Sequence, residues 1–205
     1  MLLDDSRIYV EDFGTGKSGE RQIGRIASES LMPRDYSQML FRLVNNVHPK
    51  TCVELGTNLG ITTAYIANAA GNDAHVYTFE GSKNLLLKAK YNWKTLDCKN
   101  ITAIEGDINT TFEDFLKTVD SVDFALIDAN HTYDATVRYF DLLASTCTRK
   151  SFIALDDIHH SREMGRAWEA IKKHEKTTAT LDLYSVGIVF FDKQLQKKHY
   201  KLRYK

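Results

Sequence analysis

The chain predicts an α/β fold: a doubly wound, seven-stranded sheet, mostly parallel, that ends in an antiparallel hairpin. Three observations lead there. Short β-branched and apolar runs alternate with amphipathic helical stretches from Asp35 onward. A glycine loop, Gly56 to Gly60, joins the first of these runs to a helix, where open parallel sheets bind their ligands. The last two runs, Ala179 to Tyr184 and Gly187 to Phe191, turn back on each other around Ser185-Val186.

Taken in order, Asp35 to Val47 reads as a helix with Met39, Leu40, Leu43, Val44 and Val47 on one face, and Pro49 helps end it. Thr51 to Leu55 is the first strand and Gly60 to Ala70 the helix after it. His75 to Glu80 is the second strand. Its helix carries Leu85, Leu86, Ala89, Trp93 and Leu96 at helical spacing. Ile101 to Glu105 is the third strand, with a short helix around Thr111 to Lys117. Val122 to Ile127 is the fourth, followed by a stripe of Tyr133, Val137, Phe140 and Ala144. Phe152 to Leu155 is the fifth, and its helix carries Met164, Trp168 and Ile171. The tail KKHYKLRYK alternates aromatic and basic residues, the pattern of an edge strand guarded by lysines; a basic, aromatic nucleic-acid patch is the competing reading.

Two units are expected: an arm or lid over 1–34 and the main domain over 35–205. The arm's GTGKSGERQIGR is glycine-rich and basic. It is either a flexible arm or a lid that turns Lys17, Arg21 and Arg25 toward an anionic group. GTGKSG lacks the GxxxxGK[ST] spacing of a phosphate-binding P-loop. With 205 residues, 43% of them hydrophobic, the chain can bury one good-sized core. Its 27 basic residues balance 27 acidic ones, so no global field draws it to nucleic acid or a membrane. No apolar run approaches the roughly 20 residues of a membrane span, and the acidic N-terminus is unlike a secretory signal. Cys52, Cys98 and Cys147 lack metal spacing. Reduced thiols and a cytoplasmic location are the expectation, with Cys52 in the core.

The chemistry gathers at the carboxyl ends of the strands. Glu54 and Gly56 end the first strand. Glu80 ends the second, about 20 residues past the glycine loop, where an acid accepts hydrogen bonds from a ribose diol. Gly106 and Asp107 follow the third. Asp128 ends the fourth, and Asp156-Asp157 the fifth. Carboxylates so placed repel one another unless a proton, spacing or a hard divalent cation intervenes. The competing reading makes Asp128 and Asp157 helix caps. His131, three residues past Asp128, is the first candidate for a general base, since a neutral imidazole can take a proton from a hydroxyl or amine. His159 is the second candidate, or a metal ligand.

These residues resemble a class I S-adenosylmethionine-dependent methyltransferase of the small bacterial O-methyltransferase kind. VELGTNLG is similar to the family's E/D-x-G-x-x-x-G motif, IDANHTY to its D-G-x-H-x-Y variant with Ala129 for glycine, and LDDIHHS to a fifth-strand D-D-I-H-W-S pattern. The resemblance implies a Rossmann-like fold and S-adenosylmethionine as cofactor. It implies that Glu54, Gly56 and Gly60 surround the methionine part, with Thr57 and Asn58 lining it. Glu80 would bind the ribose and Gly106 and Asp107 edge the adenine, with Asp128 beside the cofactor. It also implies Mg²⁺ or another divalent cation on Asp128, Asp156 and Asp157, as in catechol-type enzymes. Those enzymes carry a lysine base where this chain has His131. The expected acceptor is a hydroxyl of a small molecule, activated by His131 and Asp128, and a homodimer is the assembly the resemblance suggests.

Two other readings compete. A nicotinamide-dependent oxidoreductase shares the strand–glycine turn–helix unit, but its G-x-G-x-x-G fingerprint is broken at Asn58. A non-catalytic cofactor-binding module would act through a protein partner, using the arm and the aromatic tail. Methylation of RNA or DNA is a weaker reading, because no N-P-P-Y motif or strongly basic face is present.

Overall fold

The computed structural model describes residues 2–13 and 16–204; Met1, the Gly14-Thr15 of the GTGKSG run and the final Lys205 lie outside them. The arm folds as a hairpin, β1 (Arg7–Val10) with β2 (Gly19–Gln22), and a helix, α1 (Ile23–Ser30). α2 (Arg34–Val47) then leads into β3 (Thr51–Leu55), α3 (Ile61–Ala70), β4 (His75–Glu80), α4 (Lys83–Thr95), β5 (Ile101–Glu105), α5 (Ile108–Leu116) and β6 (Val122–Ile127). The second half continues with α6 (Tyr133–Thr146), β7 (Cys147–Leu155), α7 (Arg162–Lys173), β8 (Ala179–Asp182), β9 (Gly187–Phe190) and β10 (Lys198–Lys201).

The main sheet has eight strands in the order β10-β8-β9-β7-β6-β3-β4-β5, one more than the seven expected. The extra strand is β10, whose four residues are all exposed and which pairs in parallel with β8 at the edge. Its lysines suit an edge that must resist further pairing. β9 runs antiparallel to both β7 and β8, which gives the expected hairpin. β7 begins at Cys147, earlier than Phe152, because Val122 already pairs with Cys147 across an irregularity in the ladder.

The central strands are apolar on both sides because helices cover both faces. In β6, Phe124 and Leu126 point into a core with Leu40 and Val44 of α2 and Ile66 of α3. Ala125 and Ile127 point the other way, into a core with Phe112 of α5, Phe140 of α6 and Trp168 of α7. Cys52 is fully buried, and burial, aided by the charge of Asp123, pushes its thiol up to about 12. That group is inert packing.

The chain winds outward in both directions from β3, through β4 and β5 on one side and β6 and β7 on the other. The chain leaves β3 and β6 toward helices on opposite faces of the sheet, α3 on one and α6 on the other, and this leaves a crevice at the reversal point. Among the described residues, no helix is long and apolar enough to cross a membrane.

Candidate active site

A cavity of about 1190 Å³ opens along the carboxyl ends of β3, β4, β6 and β7. Loops after all four strands line it, and the N-terminal hairpin and α1 close one side. The cavity brings together Gly56, Asn58, Glu80, Asp107, Asp128, His131, Asp156 and Asp157 from the expected site residues. Glu54, Thr57, Gly60 and Gly106 are outside its lining.

The floor depends on Gly56. At φ +99° it lies where L side chains rarely go, and a Cβ there would sit 2.0 Å from the Asp128 carbonyl oxygen. Its bare backbone lets the β3 and β6 loops meet. Gly60 has a different task. A Cβ on it would meet the Trp93 indole nitrogen at 2.5 Å, and that indole N–H donates to the Gly60 carbonyl at 2.7 Å. This glycine seats α3 against α4, below the cavity.

Behind Gly56, Glu54 is 1% exposed. Its Oε2 accepts from the hydroxyls of Thr63 and Thr78, at 2.5 and 2.6 Å, and Thr57 joins the Thr78 hydroxyl at 2.6 Å. Its Oε1 is buried with no partner among the described residues. Burial outweighs the two hydroxyls and pushes the carboxyl up to about 7. Asn58, in the left-handed region at φ +50°, gives its N–H to Glu80 Oε2 at 2.8 Å, while Ser82 N–H reaches Oε1 at 2.9 Å. Burial raises Glu80 against these backbone donors, and the nearby charge of Asp12 adds to it. The Asn58 side-chain oxygen is also buried and unpartnered. Beyond Gly106, Asp107 caps α5 by accepting from Asn109 N–H at 2.9 Å. Asn109 Oδ1 in turn accepts from the Tyr139 hydroxyl at 3.1 Å.

A backbone bared at Gly56, the orphaned side-chain oxygen of Asn58 and a carboxylate at the second strand end form a cradle for a polar, nucleoside-bearing ligand. The groups fit S-adenosylmethionine: Gly56 and Asn58 would lie along its amino-acid end, and Glu80 and Asp107 along its adenosine.

The other half of the cavity is acidic. His131 Nε2 lies 3.5 Å from Asp128 Oδ1 and 3.7 Å from Asp157 Oδ2. That nitrogen is buried and makes no hydrogen bond among the described residues. Burial lowers the imidazole below its ordinary value, against the opposing pull of Asp157. Asp128 is raised well above the ordinary carboxyl range, first by burial and then by Asp156, Glu54 and Asp157. Asp156 is pushed up to about 7 by burial and by Asp157. Neither Asp128 nor Asp157 caps a helix: Ser161 caps α7, and Thr132 stands at the start of α6. The three aspartates offer hard oxygen donors. Among the described residues, however, no three His, Cys, Asp or Glu side chains converge as a metal needs. The side chains as they stand do not make a cation site.

His159 turns away from the cavity and pairs with Asp182 at 2.9 Å. His160 is exposed at the cavity mouth, with its ring 6.4 Å from that of His131. Of the arm's basic residues, Arg21 lines the cavity and pairs with Asp12 at 3.2 Å, whereas Arg25 pairs with Glu29 at 2.8 Å. Phe13, Asn109 and Ser185 also reach the cavity. No sequence signal marked them: Phe13 is brought there by a contact with Gly81 distant along the chain, and Asn109 by the local cap that Asp107 makes on α5.

Comparison with known proteins bears on the family and the fold. The model of a family described as a methyltransferase domain matches residues 53–158, just over half of the chain. Comparison with curated proteins returns no match. Similar solved structures include the O-methyltransferase TomG from Streptomyces achromogenes, involved in tomaymycin synthesis, in complex with S-adenosylmethionine. It is 14% identical with TM-score 0.70, over 82% of this chain and 86% of that one. An O-methyltransferase from Bacillus cereus in complex with S-adenosylhomocysteine is 16% identical with TM-score 0.68, over 82% and 88%. The S-adenosylhomocysteine-bound methyltransferase PaMTH1 of Podospora anserina is 16% identical with TM-score 0.68, over 80% and 81%. At such identities the likeness is one of fold. Family match and fold together give one conclusion: the chain belongs to the methyltransferase-domain family and has the fold of the class I S-adenosylmethionine-dependent methyltransferases.

Proposed function

We propose that this chain methylates a hydroxyl of a small-molecule acceptor, using S-adenosylmethionine, with His131 as general base. One observation carries the reading: a buried imidazole nitrogen with no hydrogen bond among the described residues, between Asp128 and Asp157, in the same cavity as Glu80. S-adenosylmethionine supplies an electrophilic methyl carbon on a sulfonium sulfur. Gly56, Asn58, Glu80 and Asp107 hold that cofactor, and the loops after β6 and β7 hold the acceptor. The protein's main contribution is alignment of the acceptor oxygen with the methyl carbon. A lowered imidazole is neutral at pH 7 and can take the hydroxyl proton as the oxygen attacks. The carboxylate of Asp157 then faces an imidazolium across 3.7 Å, while burial and its acidic neighbours raise the Asp128 carboxyl well above its ordinary range.

A divalent cation on Asp128, Asp156 and Asp157 is the second reading, and it requires these side chains to turn toward one another from the positions they hold here. The crowding that raises Asp128 and Asp156, which a cation would relieve, favours it. The first experiment is calorimetric binding of S-adenosylhomocysteine to wild type and Glu80→Ala, with and without Mg²⁺. Methyl transfer to a panel of phenols and sugars follows. Binding that weakens in Glu80→Ala, and turnover that falls in His131→Ala, is the expected result. No binding in any condition overturns the reading, and turnover abolished by chelator and restored by Mg²⁺ favours the second.

A further inference from the structure

The arm makes the most specific unexplained contact in the molecule. The ring of Phe13 occupies the space a side chain would take at Gly81: a Cβ there would lie 2.4 Å from Phe13 Cδ2 and 3.0 Å from Cε2. Gly81 directly follows Glu80, so the ring rests on the backbone beside the proposed ribose acid. Phe13 nevertheless remains 56% exposed, and it lines the cavity. A large aromatic fixed on one side and bare on the other leaves apolar area that a flat partner can cover.

The hairpin is docked by independent contacts. Lys83 N–H donates to Glu11 Oε2 at 3.2 Å, and Glu11 N–H donates to the Ser82 hydroxyl at 3.3 Å. Asn84 Nδ2 donates to the Tyr9 carbonyl at 2.8 Å on the surface, and Lys88 pairs with Asp4 at 3.0 Å, partly buried. Each ties the arm to the loop after β4 or to α4, directly downstream of Glu80, the last residue of β4. The arm is therefore held by the element that would hold the ribose.

We infer that the N-terminal hairpin is a wall of the cofactor site and that Phe13 covers the purine face of the adenosine with its free side. The inference rests on the cofactor reading above. It adds a binding residue that lies outside the family match at 53–158.

The test uses the full chain and S-adenosylhomocysteine as the probe, with Glu80→Ala as the control for the cofactor reading. In calorimetry, Phe13→Ala weakens binding by roughly tenfold, the order expected for loss of one base–aromatic stack. Adenosine alone shows the same proportional loss. Gly81→Ala, which displaces the ring without altering it, produces the same effect. Phe13→Trp keeps the affinity, and its new indole changes emission on titration, whereas Trp93 and Trp168 are buried elsewhere in the core. A merely structural ring would lower the melting temperature in Phe13→Ala and leave the affinity unchanged. Wild-type affinity in Phe13→Ala, with weakened binding in Glu80→Ala, overturns the inference and leaves the cofactor reading standing. Unchanged affinity in Glu80→Ala, or no binding by wild type, overturns that reading and the inference with it.

Discussion

The carboxyl of Glu54 makes a stability prediction that needs no substrate. It is buried, accepts two hydroxyl donors on one oxygen and has nothing on the other, so the folded state holds its proton up to about pH 7 instead of its ordinary 4.5. Below the lower value the group is protonated in both states and contributes nothing. Between the two values the unfolded chain loses the proton and the folded chain keeps it. The folded state then binds more protons, and stability falls as pH rises. Above the upper value the loss is complete, at about 3 kcal/mol for a shift of this size. About 2.5 kcal/mol of that falls between pH 5 and pH 8, or roughly 5–10 °C of melting temperature for a domain of this length. Glu54→Gln keeps the shape, and its carbonyl can accept from Thr63 and Thr78. Its amide stands where Oε1 has no partner, which costs the same at every pH. The assay is thermal unfolding of ligand-free wild type and Glu54→Gln across this range. Wild type should lose the extra 5–10 °C, and the two curves should draw together toward acid apart from a constant offset. Asp128 is raised partly by Glu54, so the substitution relaxes it in the same direction and widens the contrast. Parallel curves would show that Glu54 is ionised in the fold, and the argument from burial would be wrong.

Further outcomes are expected at three residues. His131→Ala should lower kcat by about 10²–10⁴-fold, the range for loss of a general base. Wild-type kcat should rise with pH through a value below the ordinary imidazole 6.5 and then stay flat, because burial lowers the group; a rise centred above neutrality contradicts that. Gly56→Ala should cost at least about 2 kcal/mol from left-handed strain and overpacking, because its Cβ would meet the Asp128 carbonyl at 2.0 Å. It should also abolish S-adenosylhomocysteine binding, and a variant that melts and binds like wild type refutes the account of the cavity floor. Tyr184 is a 70% exposed aromatic at φ +77° in the turn between β8 and β9. Tyr184→Gly should gain about 1 kcal/mol net in denaturant unfolding, since relieved strain exceeds the added freedom of the unfolded glycine; its ring lies 5.9 Å from that of His159, and no gain would mean that this contact outweighs the strain.

What the sequence made legible follows the range of the forces involved. Strand and helix positions from Asp35 to Phe191 could be read because they rest on periodicity, which neighbouring residues carry. The strand ends could be read for the same reason: a glycine or acid at the end of a β-run has one place to go in a parallel sheet. The eighth strand was harder, since KHYK has no apolar face and becomes a strand only because β8 offers it an edge. The arm was harder still. Val10, Ile23, Ile26 and Ala27 are its core, but they acquire that role against Leu59 and Leu85, far along the chain.

The two glycines of one motif carry the argument further. Gly56 and Gly60 are equally spaced signals in VELGTNLG, and both have positive φ. One is bare because the Asp128 carbonyl passes over it, and the other because Trp93 does. The first contact sets the width of the ligand crevice and the second sets the angle between two helices. Substitution at the two positions should therefore separate binding from stability. Gly60→Ala should lower the melting temperature by disturbing the indole N–H bond to its carbonyl, while the S-adenosylhomocysteine affinity of the protein that remains folded changes little. Gly56→Ala should lower both. An equal loss of affinity at the two positions would mean that the α3–α4 seam and the cavity floor move as one unit.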